Sequence, residues 1–595
     1  MAAVVRSGGR LFPEDVRVKY RWTVLPAVPQ VARMLESELG IGRLLAHCLA
    51  QRGFSELSEA RTFLEPRLKS LSDPFDLPDM DRAVNRLFEA RDSGESLVIF
   101  GDYDVDGVTA TTLLKTSLTS LGWTVDHYLP HRMEEGYGLS QTGVENCLAR
   151  FPVSFLLAVD CGSTAVEQIG WLAKRGVDVL VLDHHQVSDP RPPAVALVNP
   201  QLTPAGLPHQ RELCSVGLAF KLLHAVLRRG RDLGLDGFAR FDLKPLLDLV
   251  ALGTVADLVP LTGENRILVT AGLKRLEVTS RPGLIALKDV AQTRSPVGVY
   301  EVGFQLGPRL NASGRMETAE ASLELLLAPD VDSARPLAEA LDATNRDRQA
   351  TEKRIADLAL GVIRSKFRPE DDLVIVEGAL DWHIGVVGIV AARVLREFYR
   401  PTLIFGGDNE FWRGSGRSVA GFDLAAALRE CGDLLEKHGG HAMAAGVTVK
   451  PERLDALRER LNAEARKVLR AELLIPELLL DAEVALRELT VASVTELMRL
   501  QPFGQGNLPV QLLVPRVSLA APAQRLGREQ QHWKLRVTDG VGFLDALWWG
   551  GAESGAPPPS GTFDIAVVPQ IETYNGRVSV RLKFLDWRPS APTGA

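Results

Sequence analysis

The chain has 595 residues, 46% apolar and 24% charged, a globular balance that excludes a mainly disordered or fibrous protein. At roughly 150 residues per domain it predicts about four domains. A formal net charge of −7 excludes histone-like binding of nucleic acid by bulk charge, but not an enzyme with a local basic groove. Cys48, Cys147, Cys161, Cys214 and Cys431 are widely spread and form no Cys-x-x-Cys pair. Neither a disulfide framework nor a zinc ribbon is expected, and a reducing cytoplasm is. The opening MAAVVRSGGR has no apolar signal core, and runs such as Ile384–Ala392 are about half a membrane span. A soluble, cytoplasmic protein with no membrane partner is expected.

From Leu97 the chain alternates strand and helix. Leu97–Gly101, Val125–Leu129, Ser154–Asp160 and Val177–Asp183 read as strands. Helical spacing runs over Val108–Leu121 and Ala165–Lys174, each closed by a glycine. The rhythm predicts a doubly wound parallel sheet. A proline-rich loop, Asp189–Pro208, follows and holds the apolar run Ala194–Val198. Cys214–Arg229 and Lys244–Val255 are the next helices. Ala319–Lys366 is rich in Ala, Leu, Glu and Arg and reads as a helical connector. A second α/β stretch opens with Leu373–Glu377, then a helix near Val386–Phe398 and a strand at Thr402–Phe405. From about Ile475 short alternating runs at Val510–Val514, Trp533–Val537, Phe543–Trp549, Phe563–Val568 and Val578–Phe584 predict a small barrel, with an OB-fold leading. The last seven residues read as a tail.

Acids and histidines collect at the element ends. Gly101 leads into Asp102-Tyr103-Asp104-Val105-Asp106-Gly107, the third strand ends at Asp160, and the fourth ends in Asp183-His184-His185. The Lys244–Val255 helix leads to Asp257. Ligands of an open parallel sheet bind beyond the carboxyl ends of its strands, so the first three groups are expected to converge, and Asp257 can join them. Crowded carboxylates raise one another's pKa, and a divalent cation relieves that conflict. Oxygen ligands with one imidazole favour Mn²⁺ or Mg²⁺ over a thiolate zinc site, and a shared Asp can bridge two ions.

These residues carry a resemblance. DYDVDG, Asp160, Asp183-His184-His185 and Asp257 within GTVADLVPL resemble the DHH phosphoesterase superfamily. GPRLNASGR (Gly307–Arg315), WHIGVVG (Trp382–Gly388), GGHAMAAG (Gly439–Gly446) and PFGQGN (Pro502–Asn507) are similar to its RecJ branch of single-strand-specific DNA exonucleases. The likeness runs from about Lys19 to about Trp587. It implies an α/β multidomain protein with a parallel-sheet DHH domain, a second α/β DHH-associated domain joined by helices, and a C-terminal OB-like barrel. The implied divisions are an N-terminal segment at 1–40, the catalytic domain at 41–318, the connector at 319–368, the DHH-associated domain at 369–470, the barrel at 471–588 and the tail at 589–595.

The resemblance further implies Asp104, Asp106, Asp160, His184 and Asp257 as ligands of two Mn²⁺ or Mg²⁺ ions. Asp102 is implied behind them, and His185 beside the metals on the scissile phosphate. Phe100 stands where small DHH phosphatases carry a histidine. Arg309, Asn311, Arg315, Arg417, Ser418, Gly439, Gly440 and His441 are the candidates for substrate. Forked guanidinium groups and a glycine backbone suit phosphate oxygens, and GSGRSV (Gly414–Val419) and Gly439-Gly440-His441 read as flexible, donor-rich loops. Trp533, Trp548, Trp549 and Tyr574 are candidates for stacking bases, with at most one of Trp548 and Trp549 facing a groove. The implied activity is metal-dependent 5′-to-3′ digestion of single-stranded DNA to mononucleotides in recombination and repair. Single-strand-binding protein and a helicase are the implied protein partners. A DHH phosphatase of short oligonucleotides or phosphoadenosine nucleotides, and a non-catalytic DNA-binding scaffold, are the alternatives. Removal of the region after about Ile475 is expected to weaken strand binding more than chemistry.

Overall fold

The computed structural model describes residues 20–132, 134–203, 211–316, 318–553 and 557–591. The expectations for the first ten residues, the end of the proline-rich loop and most of the tail fall outside them. The catalytic sheet has five parallel strands in the spatial order Val125–Tyr128, Leu97–Phe100, Phe155–Val159, Asp178–Leu182, Ala196–Val198. Ala196–Val198, read only as an apolar run, is one of its two edge strands. The inner strands are almost wholly buried because helices cover both faces, which is why they read as unbroken apolar runs. One face packs Ile99 and Leu157 with Leu113, Leu218 and Leu249. The other packs Val98 and Leu156 with Val144 and Ile169. The strand order switches between Leu97–Phe100 and Phe155–Val159, which opens a crevice at their carboxyl ends. The Lys244–Val255 helix divides into a short turn, Lys244–Leu246, and the helix Leu247–Ala256.

The connector is dominated by one helix, Val331–Lys366, of 36 residues. At 1.5 Å per residue it spans about 54 Å. It leads to a five-stranded mixed sheet in the order Leu435–His441, Ala444–Val449, Trp412–Arg417, Thr402–Gly407, Ile375–Ala379. Here the structure corrects the sequence reading. GSGR lies in the strand Trp412–Arg417 and GGH in the strand Leu435–His441, not in flexible loops. The glycines of GSGR serve packing: a Cβ at Gly414 would meet Phe405 at 2.5 Å, and one at Gly416 would meet Leu424 at 2.5 Å.

The C-terminal region is a seven-stranded sheet, five strands of which close into a barrel where Ser518–Leu519 pairs with Val537–Thr538. Its core is shared with the amino-terminal helices. Leu35, Leu45, Leu49 and Phe63 pack with Val494, Leu512, Leu535 and Phe563. Arg21–Val24 adds a parallel ribbon to Glu477–Leu480. Residues 41–64, expected to open the catalytic domain, therefore belong physically to the barrel, a long-range pairing that periodicity cannot reveal. Leu45 is 1% exposed at this seam. Leu45→Ala should cost about 2–5 kcal/mol and lower the unfolding midpoint of the barrel in thermal denaturation.

Candidate metal centre and phosphate site

The aspartate loop is fixed by its own helix. Asp104 caps Val105–Ser120, its Oδ1 accepting from the Asp106 amide at 2.9 Å and the Gly107 amide at 3.1 Å. Gly107 is obligatory, since a Cβ there would lie 2.6 Å from the Asp102 carbonyl oxygen. Asp106 turns the other way and accepts from the amides of Ser215 (2.7 Å) and Val216 (2.9 Å), at the start of Ser215–Asp232. Asp160 ends its strand in the left-handed region (φ 64°), a conformation a non-glycine residue holds only when its surroundings impose it. That turn brings its Oδ1 to 2.8 Å from the Ser215 hydroxyl. Asp183 accepts from the amides of Ser163, His184 and His185 and from His185 Nδ1, so it orients both histidines.

Three sets of donor atoms result, each set lying within 4.8 Å: Asp160, His184 and His185; Asp102, Asp104 and Asp160; Asp106, Cys214 and Asp257. Asp160 is common to two of them. His184 Nε2 stands 3.5 Å from both Asp160 Oδ1 and Asp257 Oδ2. Asp102 Oδ1, His184 Nε2 and Asp257 Oδ2 are buried and find no hydrogen-bond partner among the described residues. Buried polar atoms without partners are costly, and these three all point into one crevice. Cys214 spends its thiol hydrogen on Thr254 Oγ1 at 3.3 Å. The remaining oxygens and an imidazole suit hard divalent cations.

Burial, then mutual repulsion, pushes Asp102 and Asp160 well above the usual carboxylate range. The same causes bring Asp106 to about 7 and Asp257 to about 9. His184 falls to about 4 through burial and the neighbouring His185. Burial alone would raise Asp183, but His185 outweighs it and holds the carboxylate low. Asp183 in return raises His185 against its own desolvation.

All five predicted ligands meet here. Asp102, expected behind them, joins the cluster with a free oxygen. Its 1% exposure is a tertiary fact that no local pattern carries. The substrate candidates divide. Arg315 and Arg417 lie together with Arg132, which sequence reasoning missed; burial and then the Arg132 charge lower the pKa of both. None of the three is ion-paired with a carboxylate among the described residues. Gly385 and Gly388 of WHIGVVG allow this approach: a Cβ at Gly385 would meet the Arg315 carbonyl at 2.3 Å, and one at Gly388 the Arg417 guanidinium at 3.3 Å. Tyr137, also missed, places its hydroxyl 3.1 Å from His185 Nε2.

Other candidates are otherwise engaged. Arg309 donates to Asp342 and to the Gln305 carbonyl. Asn311 accepts from the Val105 amide and so steadies the aspartate loop. The buried Ser418 hydroxyl donates to the Phe422 carbonyl. Gly439, Gly440 and His441 are exposed on their hairpin, whose register sets His441 opposite Ala444 and Ala444 opposite Arg417. Strand spacing then puts His441 about 10 Å from Arg417 across the sheet. On the barrel, Trp533 is 9% exposed and cannot stack a base on its face, and Trp548 packs on Phe584, whereas Trp549 and Tyr574 are exposed.

Comparison with known proteins gives three family matches: the DHH family N-terminal domain over residues 96–254, the DHHA1 domain over 371–467 and the RecJ OB domain over 480–586. The single-stranded-DNA-specific exonuclease RecJ of Dickeya dadantii is 36% identical over 574 residues, covering 92% of this chain and 96% of that protein. The Bacillus subtilis protein of the same name is 35% identical over 577 residues, 96% of this chain and 71% of that one. Among solved structures, RecJ in complex with Mn²⁺ from Thermus thermophilus superposes with a TM-score of 0.82 at 30% identity, covering 97% of this chain and 81% of that one. The Mg²⁺ complex of the same protein gives 0.77 at 29% identity, covering 96% and 79%.

The raised carboxylates have a measurable consequence. An acid whose folded pKa exceeds its unfolded value takes up protons on folding, so stability is lost as pH rises through the shifted range. For Asp106 and Asp257 that range runs from the ordinary 3.8 to about 7 and about 9. The metal-free protein should therefore melt progressively lower between about pH 4 and pH 9. Mn²⁺ should raise the melting temperature more at the alkaline end and release protons on binding, measurable by calorimetry in two buffers of different ionisation enthalpy.

Proposed function

The chain belongs to the RecJ family of DHH phosphoesterases, and from that membership we propose that it is a metal-dependent exonuclease specific for single-stranded DNA. The reading includes 5′-to-3′ polarity and release of mononucleotides in recombination and repair. The observation that carries it is the pairing of two opposed charge clusters: buried acids with unsatisfied atoms at the sheet's switch point, and three arginines beside them with no carboxylate partner among the described residues.

In this reading Asp104, Asp106, Asp160, His184 and Asp257 hold two divalent cations, with Asp102 added to the set. The ions supply Lewis-acid stabilisation of phosphoryl charge and acidify water. The chain's own groups do the rest. Asp183 keeps the His185 Nδ1 proton, leaving Nε2 beside the Tyr137 hydroxyl to meet the scissile phosphate or the leaving oxygen. Arg132, Arg315 and Arg417 seat the terminal phosphate, whose double charge suits three guanidinium groups better than an internal diester does. The strand then continues over the His441 hairpin towards Trp549 and Tyr574. A helicase that frees such a strand and a single-strand-binding protein that holds it are the partners this chemistry calls for. No described helix is long and apolar enough to cross a membrane.

With Mn²⁺, a 5′-phosphorylated single strand should be shortened from its 5′ end, followed with 5′- and 3′-labelled substrates, while its duplex resists. Cleavage confined to a dinucleotide would overturn the proposal. Asp160→Ala should abolish turnover with the fold intact by circular dichroism. Arg417→Ala should raise KM for the 5′-phosphorylated strand by roughly 10–100-fold, the loss of one charge-assisted contact, and erase the preference over a 5′-hydroxyl strand.

A further inference from the structure

We infer that the PFGQGN segment, Pro502–Asn507, is a positioning element for the metal centre, setting its cation affinity through the turn that follows Asp257. The inference rests on the assignment of Asp257 as a ligand. Asp257 hangs from the last turn of a helix, Leu247–Ala256, and not from a strand of the sheet. The next residue, Leu258, is 73% exposed and left-handed (φ 62°). A leucine keeps that conformation only where its surroundings impose it.

Much of what imposes it comes from the barrel side. The Leu261 amide donates to the Gln505 carbonyl at 2.7 Å. Gly504 and Gly506 press on the same turn. Ideal Cβ atoms there would lie 2.7 Å from Leu261 Cδ1 and 2.8 Å from Pro260 Cβ. Asn265 Nδ2 holds the Pro260 carbonyl from the other side at 3.0 Å. The segment is itself anchored. Asn507 Nδ2 donates to the Leu500 and Pro502 carbonyls, each at 2.8 Å, and Asn507 Oδ1 accepts from Arg52. Arg266, five residues past Leu261 and 1% exposed, donates to the carbonyls of Phe63 (2.8 Å), Leu500 (3.0 Å) and Gln501 (2.7 Å). All three acceptors lie in the barrel body, so this guanidinium rivets the catalytic domain to it. Groups that orient a metal ligand from behind control affinity for the ion.

The test is Mn²⁺ titration of the metal-free, full-length protein by calorimetry. Gly506→Ala, which puts a methyl against Pro260 on a backbone at φ 70°, should weaken binding at one site by at least roughly tenfold. At saturating Mn²⁺ its KM for single-stranded DNA should equal that of the wild type, which a general loss of structure would not leave intact. Gly540→Ala is the control: its backbone is as strained (φ 88°), it meets nothing within 4 Å, and it should bind Mn²⁺ as the wild type does. If Gly506→Ala does not fold, Asn507→Ala, which loosens the segment without adding atoms, decides by the same titration. Wild-type affinity in the folded variant, with Asp257→Ala weakened, overturns the inference alone. Wild-type affinity in Asp257→Ala overturns the ligand assignment and the inference with it.

Discussion

The mutual repulsion of buried carboxylates at one edge of the catalytic sheet is the constraint around which the rest of this molecule is arranged. Asp102, Asp106 and Asp160 are each 1% exposed, and Asp104 and Asp257 close the same crevice. Such a cluster opposes folding unless something meets its charge. The fold meets part of it internally. Asp106 sits on two amides at a helix amino terminus, where the helix dipole favours an anion, and Asp104 caps another helix. What remains are oxygens and an imidazole nitrogen that find no hydrogen-bond partner among the described residues. Cations complete that arrangement, and the strand order, the left-handed turn at Asp160 and the Asp183 bracket all serve to hold it open.

The second lobe makes electrostatic sense only against the first. Arg132, Arg315 and Arg417 repel one another as the aspartates do, and in the proposed reading a terminal phosphate seated among them would relieve that repulsion. Arg315 comes from a helix of the first lobe and Arg417 from a strand of the second, so the site spans both. Glycines at 385 and 388 make their approach possible by absence of side chain. The whole-chain charge of −7 is therefore uninformative about the partner, because the acids and bases that matter are segregated over a few ångströms.

The sequence made the chemistry legible and the geometry only partly so. Strand–helix alternation, acids at strand ends and the short alternating runs near the carboxyl terminus reflect local periodicity, and they emerge as the parallel sheet, the metal-ligand cluster and the barrel. What local pattern leaves hidden is tertiary. Arg309, Asn311 and Ser418 have the right functional groups for phosphate, but hydrogen bonds to Asp342, Val105 and Phe422 already occupy them. Arg132 and Tyr137 sit in a loop with no motif of its own and become visible only when the chain folds back. GSGR and GGH look like loops because glycine breaks alternation, whereas in GSGR it permits the strand to pack against Phe405 and Leu424, and Gly440 lies close to the Ala444 carbonyl.

The shared core of the two chain ends changes what the barrel means. Read from sequence, the region after about Ile475 is a detachable DNA-binding module. In the structure it completes the burial of Leu35, Leu45 and Leu49 from the amino-terminal helices, receives the Arg266 guanidinium, and grips the turn behind Asp257. Its removal would strip a hydrophobic core from one part of the chain and take from the buried Arg266 guanidinium the Leu500 and Gln501 carbonyls, leaving it Phe63. Loss of chemistry on such a truncation thus follows from packing alone. Trp549 and Tyr574 are exposed on the barrel, so if they stack bases as proposed, point substitution there, and not removal of the barrel, would separate strand binding from catalysis.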